Sequence, residues 1–275
     1  MKKRSTARRS ALHPEFLRHV AFYRQLGIYN PTVHSPRVIV VGAGGIGSWT
    51  VLQLAKLGVK DFTVYDRDRV EVHNISTTPY SESEVGLPKV RALGKLAKQF
   101  GVGVKYHGVC KFITKDTKLP KADIIISGVD GTHDGQMWTR ERILKLAVRS
   151  RIPFFIDGRI GGENLRVYSV NTRNPEEINT YPGTLPEKGK EAQLPCIAQG
   201  VIDVGWMVAS YITRAVRKWT VSGTYVPELI QKLEPLVTMF ADPIKLSCKK
   251  CDKSTLSDDF KSEWHAMKHP KLPKI

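Results

Sequence analysis

Four β-branched residues in a row, Val38-Ile39-Val40-Val41, run directly into Gly42-Ala43-Gly44-Gly45-Ile46-Gly47. This junction constrains the fold more than any other stretch of the chain. A continuous apolar run of that kind marks a strand buried on both faces, as strands of a parallel sheet are. The six residues behind it fit G-x-G-x-x-G, placed as the pattern requires, after a strand and at the opening of a helix. Glycines there allow a tight turn and let backbone N–H groups approach phosphate oxygens, and the helix N-terminus adds the positive end of its dipole. The helix itself is legible from Ile46, Trp49, Leu52, Leu54 and Leu57 at helical spacings, closed by Gly58.

The same grammar repeats downstream. Phe62–Tyr65 reads as a second strand, 88–100 as a helix with Pro88 at its start, 102–109 as a third strand and Ile124–Ile126 as a fourth. Residues 135–150 read as a helix, Phe154–Ile156 and Leu165–Val170 as further strands, 171–195 as a Pro- and Glu-rich surface crossover loop, and 197–220 and 226–239 as two more helices. Alternation of this kind predicts an α/β fold with a Rossmann-like, doubly wound, mostly parallel sheet and a short C-terminal appendage. The expected divisions are a basic arm with a short helix over 1–36, the glycine-loop domain over 37–241 and a basic Cys/His tail over 242–275.

Composition closes off several alternatives. At 41% hydrophobic residues the chain has material for a real core, yet no apolar run approaches the roughly 18 residues that span a bilayer. The start, MKKRSTARRS, has no apolar stretch behind it and does not read as a secretory signal. Four scattered cysteines do not make a disulfide framework, so a reducing, cytoplasmic setting is expected. The net charge of +17 would attract polyanions or an acidic protein. Because the basic residues are spread out with no stacking-aromatic motif among them, nucleic acid is not the favoured partner.

Several residues carry candidate chemistry. Asp66 ends the second strand 19 residues past Gly47, where a carboxylate can accept hydrogen bonds from a ribose hydroxyl. An NAD-dependent dehydrogenase would need the same loop and acid, so these features alone leave the nucleotide open. Cys196 precedes the long helix, where the dipole would activate a thiolate, or it is simply a small buried residue. Cys110, read as lying in a strand, is expected in the core. Asp157-Gly158-Arg159 ends a strand beside the expected site, as a functional or a structural charged pair. In the tail, Cys248, Cys251, His265 and His269 form C-x2-C-x13-H-x3-H, within the range of a tetrahedral zinc site. The alternative is a basic tail with incidental Cys and His.

Taken as an ordered set, the motifs resemble the ThiF/MoeB/HesA family, relatives of the ubiquitin-activating enzymes. The resemblance is carried by Arg37–Gly58, by Asp66-Arg67-Asp68-Arg69-Val70 with Asn74 as D-x-D-x-V…N, and by Val85–Val90 as V-G-x-P-K-V. Gly128-Val129-Asp130 and the arm Phe22-Tyr23-Arg24-Gln25 complete it, so that it runs from about residue 20 to 218. It implies ATP and Mg2+ as cofactors and adenylation of a carboxyl group. The implied substrate is the C-terminus of a small ubiquitin-like or sulfur-carrier protein. By residue it implies a glycine loop (Gly42, Gly44, Gly45, Gly47) on the nucleotide, Asp66 and Asp68 at the ribose side, and Asn74 touching the nucleotide. It further implies Lys89 on the phosphates, Asp130 on magnesium, Arg24 reaching the other subunit's site in a homodimer, and a cysteine such as Cys196 taking the activated acyl group. Two departures stand out. Thr77 occupies the place of the family's usual phosphate-binding arginine, with Arg67, Arg69 or Arg91 as substitutes. The tail has one C-x-x-C pair where the family's zinc site has two. The Gly47-Ser48-Trp49 helix start is similar to that of the cyclic threonylcarbamoyl-adenosine dehydratases, which keeps a tRNA-directed enzyme as the alternative. A non-catalytic nucleotide-binding module is the other.

Overall fold

The computed structural model describes residues 20–130, 138–186, 200–233 and 236–241. Its centre is an eight-stranded sheet: β1 (Arg37–Val41), β2 (Asp61–Tyr65), β3 (Lys105–Val109), β4 (Ile124–Ser127), β5 (Phe154–Gly161), β6 (Asn164–Asn171), β7 (Glu228–Leu233) and β8 (Leu236–Ala241). Their order is β3-β2-β1-β4-β5-β6-β7-β8. The first five strands are mutually parallel, and β5 to β8 continue as antiparallel neighbours. The strand order reverses between β1 and β4, and the crevice beyond the C-terminal ends of strands at such a reversal is where open α/β sheets bind ligands.

Five α-helices complete the described fold: α1 (Gly47–Leu57), α2 (Lys89–Phe100), α3 (Thr139–Arg149), α4 (Pro175–Thr180) and α5 (Ile202–Ser222). Side chains alternate across a strand, so each β-branched run feeds two cores. Val38, Val40, Phe62, Val64, Ile124, Ile126 and Phe154 pack under α1, α2 and α5. Ile39, Val41, Ile125 and Phe155 pack with Ile143, Leu144 and Ala147 of α3 and with Tyr181. Burial on both faces is why β1 and β4 carry no polar alternation. The arm docks at the far end of α1: Phe22 and Tyr29 are buried, and Gln25 Nε2 donates to Leu57 O at 2.7 Å.

Two expectations are corrected. Residues 226–239 form the β7–β8 hairpin, with Leu233 opposite Leu236, rather than a helix. The antiparallel pairing of Glu228–Leu233 with Leu236–Ala241, and of β7 with β6, fixes both segments as strands. The stretch read as a crossover loop contains α4, capped by Asn174, whose side chain accepts from Glu176 N at 3.1 Å, with Pro175 in the first turn.

Candidate nucleotide site

The glycine loop divides into glycines that pack and glycines that leave room. Gly42 has φ +96°, and a Cβ there would lie 2.6 Å from Gly128 O; a Cβ on Gly47 would lie 1.9 Å from Gly42 O. These two let the turn close against the end of β4. Gly44 has nothing within 4 Å of where a Cβ would stand, and Gly45 meets only Thr77 O at 3.5 Å. The middle of the motif, Gly44-Gly45, is therefore an open face before the N-terminus of α1, into which a phosphate can settle.

Asp66 is locked against that loop. Its Oδ2 accepts from Ala43 N at 2.7 Å and its Oδ1 from Asp68 N at 2.7 Å. Burial pushes the carboxyl above the usual range, while the two backbone N–H groups and nearby Lys89 pull it part of the way back. Each oxygen keeps lone-pair capacity for a ribose hydroxyl. The D-x-D-x-V and V-G-x-P-K-V segments are pinned together: Val70 N donates to Leu87 O and Gly86 N to Val70 O, both at 2.8 Å, and Lys89 N donates to Asp68 O at 2.9 Å. This pairing sets Lys89 at the first residue of α2, with Nζ 3.4 Å from Asp68 Oδ2 and its side chain only 13% exposed. Asp66, Asp68 and Lys89 thus converge at the open side of the loop.

Asn74 has a structural duty as well. Its Oδ1 accepts from Glu71 N at 3.0 Å, capping the 3-10 turn Val72–Asn74. The segment behind it lies against the glycine loop through two contacts that the sequence did not flag. Tyr80 OH donates to Ala43 O at 2.8 Å, and Trp49 Nε1 donates to Thr77 O at 3.0 Å. Of the three arginines that might replace the one missing at Thr77, two are engaged elsewhere. Arg67 lies over the Phe112 ring at 4.2 Å, and Arg69 Nη1 donates to Gly86 O at 2.7 Å. Arg91, exposed on α2, makes no side-chain hydrogen bond or ion pair among the described residues.

Asp130 is exposed, three residues beyond the end of β4, where Gly128 N donates to Val41 O at 2.8 Å. That places it at the β1/β4 reversal, on the same edge as the loop. Beside it, the Asp157–Arg159 pair is structural. Asp157 is fully buried between Arg140 Nη1 and Arg159 Nε, each at 2.6 Å, and also accepts from Tyr181 OH at 2.9 Å. Burial alone would raise its pKa, but the two guanidiniums and the tyrosine hold the carboxyl below the usual range. Arg159 also donates to Thr184 O at 2.7 Å and to its Oγ1 at 2.9 Å.

Three expectations fare differently. Cys110 is exposed, not core: it sits one residue past β3 with its Sγ 3.6 Å from Arg67 O. Arg24 is not brought to its own glycine loop; it lies in the 3-10 turn Tyr23–Gln25 at the opposite end of α1. Cys196, Cys248, Cys251, His265 and His269 lie outside the described residues. Among the described residues no group of three or more His, Cys, Asp or Glu is arranged to hold a metal, and no helix is long and apolar enough to cross a membrane.

A mostly parallel sheet with a glycine loop at its strand reversal, an acid pinned to that loop and a lysine at the next helix start is a Rossmann-like α/β arrangement. The chain belongs to the ThiF family, whose model matches residues 20–248. It is 26% identical over 131 residues to the tRNA threonylcarbamoyladenosine dehydratase of Escherichia coli (strain K12), covering 46% of this chain and 47% of that one. It is 34% identical over 163 residues to ubiquitin-like modifier-activating enzyme 5 of Caenorhabditis elegans, covering 50% and 39%. The match therefore spans less than half the length of each. In fold it is similar to Escherichia coli MccB solved with ATP, at a TM-score of 0.63 and 18% identity, over 80% of this chain and 68% of that one.

Proposed function

We propose that the chain binds ATP with Mg2+ and adenylates the C-terminal carboxylate of a small ubiquitin-like or sulfur-carrier protein. The observation that carries this is the Asp66 carboxylate held by Ala43 N and Asp68 N beside the open Gly44 face, with Lys89 alongside. That arrangement fits a nucleoside triphosphate: an acceptor for the ribose, N–H groups and a dipole for the phosphates, and a half-buried cation. In the reaction a carboxylate oxygen forms a bond to the α-phosphorus, the bond from that phosphorus to the β-phosphate bridge oxygen breaks, and pyrophosphate leaves. Such a step needs neutralisation and alignment more than covalent help. Lys89 would neutralise phosphate oxygens. Asp130, an exposed carboxylate, suits Mg2+, which takes one or two protein carboxylates and fills its shell with phosphate and water. When bound, that ion would screen the phosphate charge. Arg91, exposed and unengaged among the described residues, would be the candidate to take over from the missing arginine at Thr77.

The finer assignments rest on the same reading. Asn74 would touch the nucleotide, Arg24 would serve the partner's site in a homodimer, Cys196 would accept the acyl group, and Cys248, Cys251, His265 and His269 would bind zinc. The setting would be cytoplasmic. The test is ATP–pyrophosphate exchange with Mg2+ over a panel of small β-grasp proteins. Exchange should require one of them and fall by about 100-fold or more in Asp130→Ala and Lys89→Ala. ATP binding with no exchange on any of them would refute this substrate class. Similarity to the Escherichia coli dehydratase and the +17 charge favour a tRNA-directed enzyme as second reading. Tight tRNA binding that weakens steeply with salt would support it.

A further inference from the structure

Away from the glycine loop, where the second half of α5 crosses β6 and β7, the structure leaves a cavity of about 150 Å³. One side of α5 supplies Tyr211, Arg214 and Lys218, which share a face through their spacings of three and four. Val167 of β6 and Leu229 of β7, paired across the two strands, supply apolar wall, and Ser169 lines the same space two residues further along β6. Three features distinguish this space from a packing defect. The Ser169 hydroxyl is buried, its residue 3% exposed, and it has no hydrogen-bond partner, an arrangement that native proteins seldom tolerate without a reason. Arg214 and Lys218 are both cationic and make no side-chain hydrogen bond or ion pair among the described residues. Tyr211 OH is already committed as donor to Gln231 Oε1 at 2.6 Å, so the donors left for a ligand are the serine hydroxyl and the two cations.

Those donors define an anion, and the walls define its other end. A cavity of this volume holds a body the size of a benzene ring. Two cations and a hydroxyl at one apolar cavity match a carboxylate, through charge-assisted hydrogen bonds. We propose that this cavity is a second ligand site, separate from the nucleotide site, that takes a monocarboxylate with a compact apolar body about the size of a benzene ring.

Benzoate is the probe and neutral benzamide its control, titrated into the full chain with ligand-detected NMR and calorimetry. The cavity should bind benzoate, a ligand of this size, with a Kd on the order of millimolar. Benzamide should bind at least about tenfold more weakly, because one lost charge-assisted contact is worth about that factor. Arg214→Ala/Lys218→Ala, at exposed positions that spare the core, should remove that advantage and leave benzamide unchanged. Ser169→Ala, which adds no volume, should weaken benzoate by a few-fold, about the value of one hydrogen bond. Equal affinity for benzoate and benzamide, no benzoate binding, or an unaltered double variant would overturn the proposal. So would displacement of benzoate by ATP, or competition by inorganic phosphate at benzoate's own affinity, which would show a general anion patch. ATP binding is read in the same samples and should be the same in every variant, so failure here leaves the adenylation reading untouched.

Discussion

At the scale of single residues, Asp157 is the most completely enclosed charge among the described residues. It is one buried carboxylate between two arginines, and removing its charge leaves Arg140 and Arg159 facing each other without compensation. Breaking a buried pair from one side costs about 3–5 kcal/mol. Asp157→Asn is therefore expected to lose stability of that size in urea unfolding at neutral pH; a loss below about 1 kcal/mol would show that the arginines find other partners. Glu84 makes a different, pH-dependent contribution. The Ser81 hydroxyl at 2.6 Å and Ser81 N at 3.0 Å donate to it, followed by the Ser83 hydroxyl and Lys95, and together they hold its pKa down from 4.5 to about 2. A carboxyl lowered on folding stabilises the protein above its unfolded pKa, and that contribution fades as pH falls from 4.5 toward about 2. Water is close to this short turn and screens part of it, which leaves about 1 kcal/mol. Glu84→Gln should cost that much at pH 7 and nearly nothing below the folded pKa, as measured by denaturant unfolding at both ends. A cost that does not change with pH would rule out the carboxylate as its source.

At the scale of elements, the glycine loop makes two opposite demands, and substitutions can separate them. Gly47→Ala would drive a methyl group to 1.9 Å from Gly42 O, a backbone atom that cannot swing aside. The turn must distort, at about 3 kcal/mol or more. Gly44→Ala meets open space, and the φ of Gly44 is not in the left-handed region. It should melt within a few degrees of wild type yet bind ATP about tenfold more weakly, because the methyl occupies room left for a phosphate. Calorimetry on both variants separates the roles; equal ATP affinity in Gly44→Ala would mean the phosphates lie elsewhere. The loop and its acid were legible in the sequence because both depend on local chain geometry, strand, turn and helix start; the lysine was legible only through the resemblance that Val85–Val90 carries. What was not legible depended on remote partners. Nothing in the spacing of Tyr80 or Trp49 announces that both brace the glycine loop through carbonyls 37 and 28 residues away. Leu229, Ile230 and Gln231 fit a helical period as well as a strand, and only pairing with β6 and β8 decides between them. Cys110 was misread because β3 is the edge strand of the sheet and none of its residues is buried, so a cysteine at its end is at the surface too. For α4, the Asn174-Pro175-Glu176-Glu177 start was in plain view but outweighed by the proline and glutamate content around it.

At the scale of the whole molecule, the unresolved relation is between Arg24 and the site it would serve. The arm is fixed to the C-terminal end of α1, while the glycine loop opens its N-terminal end, and eleven helical residues put these about 16 Å apart. Arg24 therefore belongs either to no nucleotide site or to that of another copy. The arm also exposes apolar side chains that a second copy could cover: Tyr23 is 72% exposed, Val33 70% and Ile28 65%. If Arg24 acts across a two-fold interface, Arg24→Ala and Asp130→Ala should each be inactive alone. Once unfolded, mixed in equal amounts and refolded, they should recover activity. Half of the dimers would then be mixed, and each mixed dimer would hold one site with Asp130 from one protomer and Arg24 from the other, beside one site lacking both. The expected recovery is roughly a quarter of the wild-type pyrophosphate exchange, and it should appear in the dimer fraction on gel filtration. If Arg24 works within its own chain, every mixed dimer carries one lesion per site and the mixture stays inactive. If Arg24→Ala alone keeps full activity, the arm serves assembly rather than chemistry.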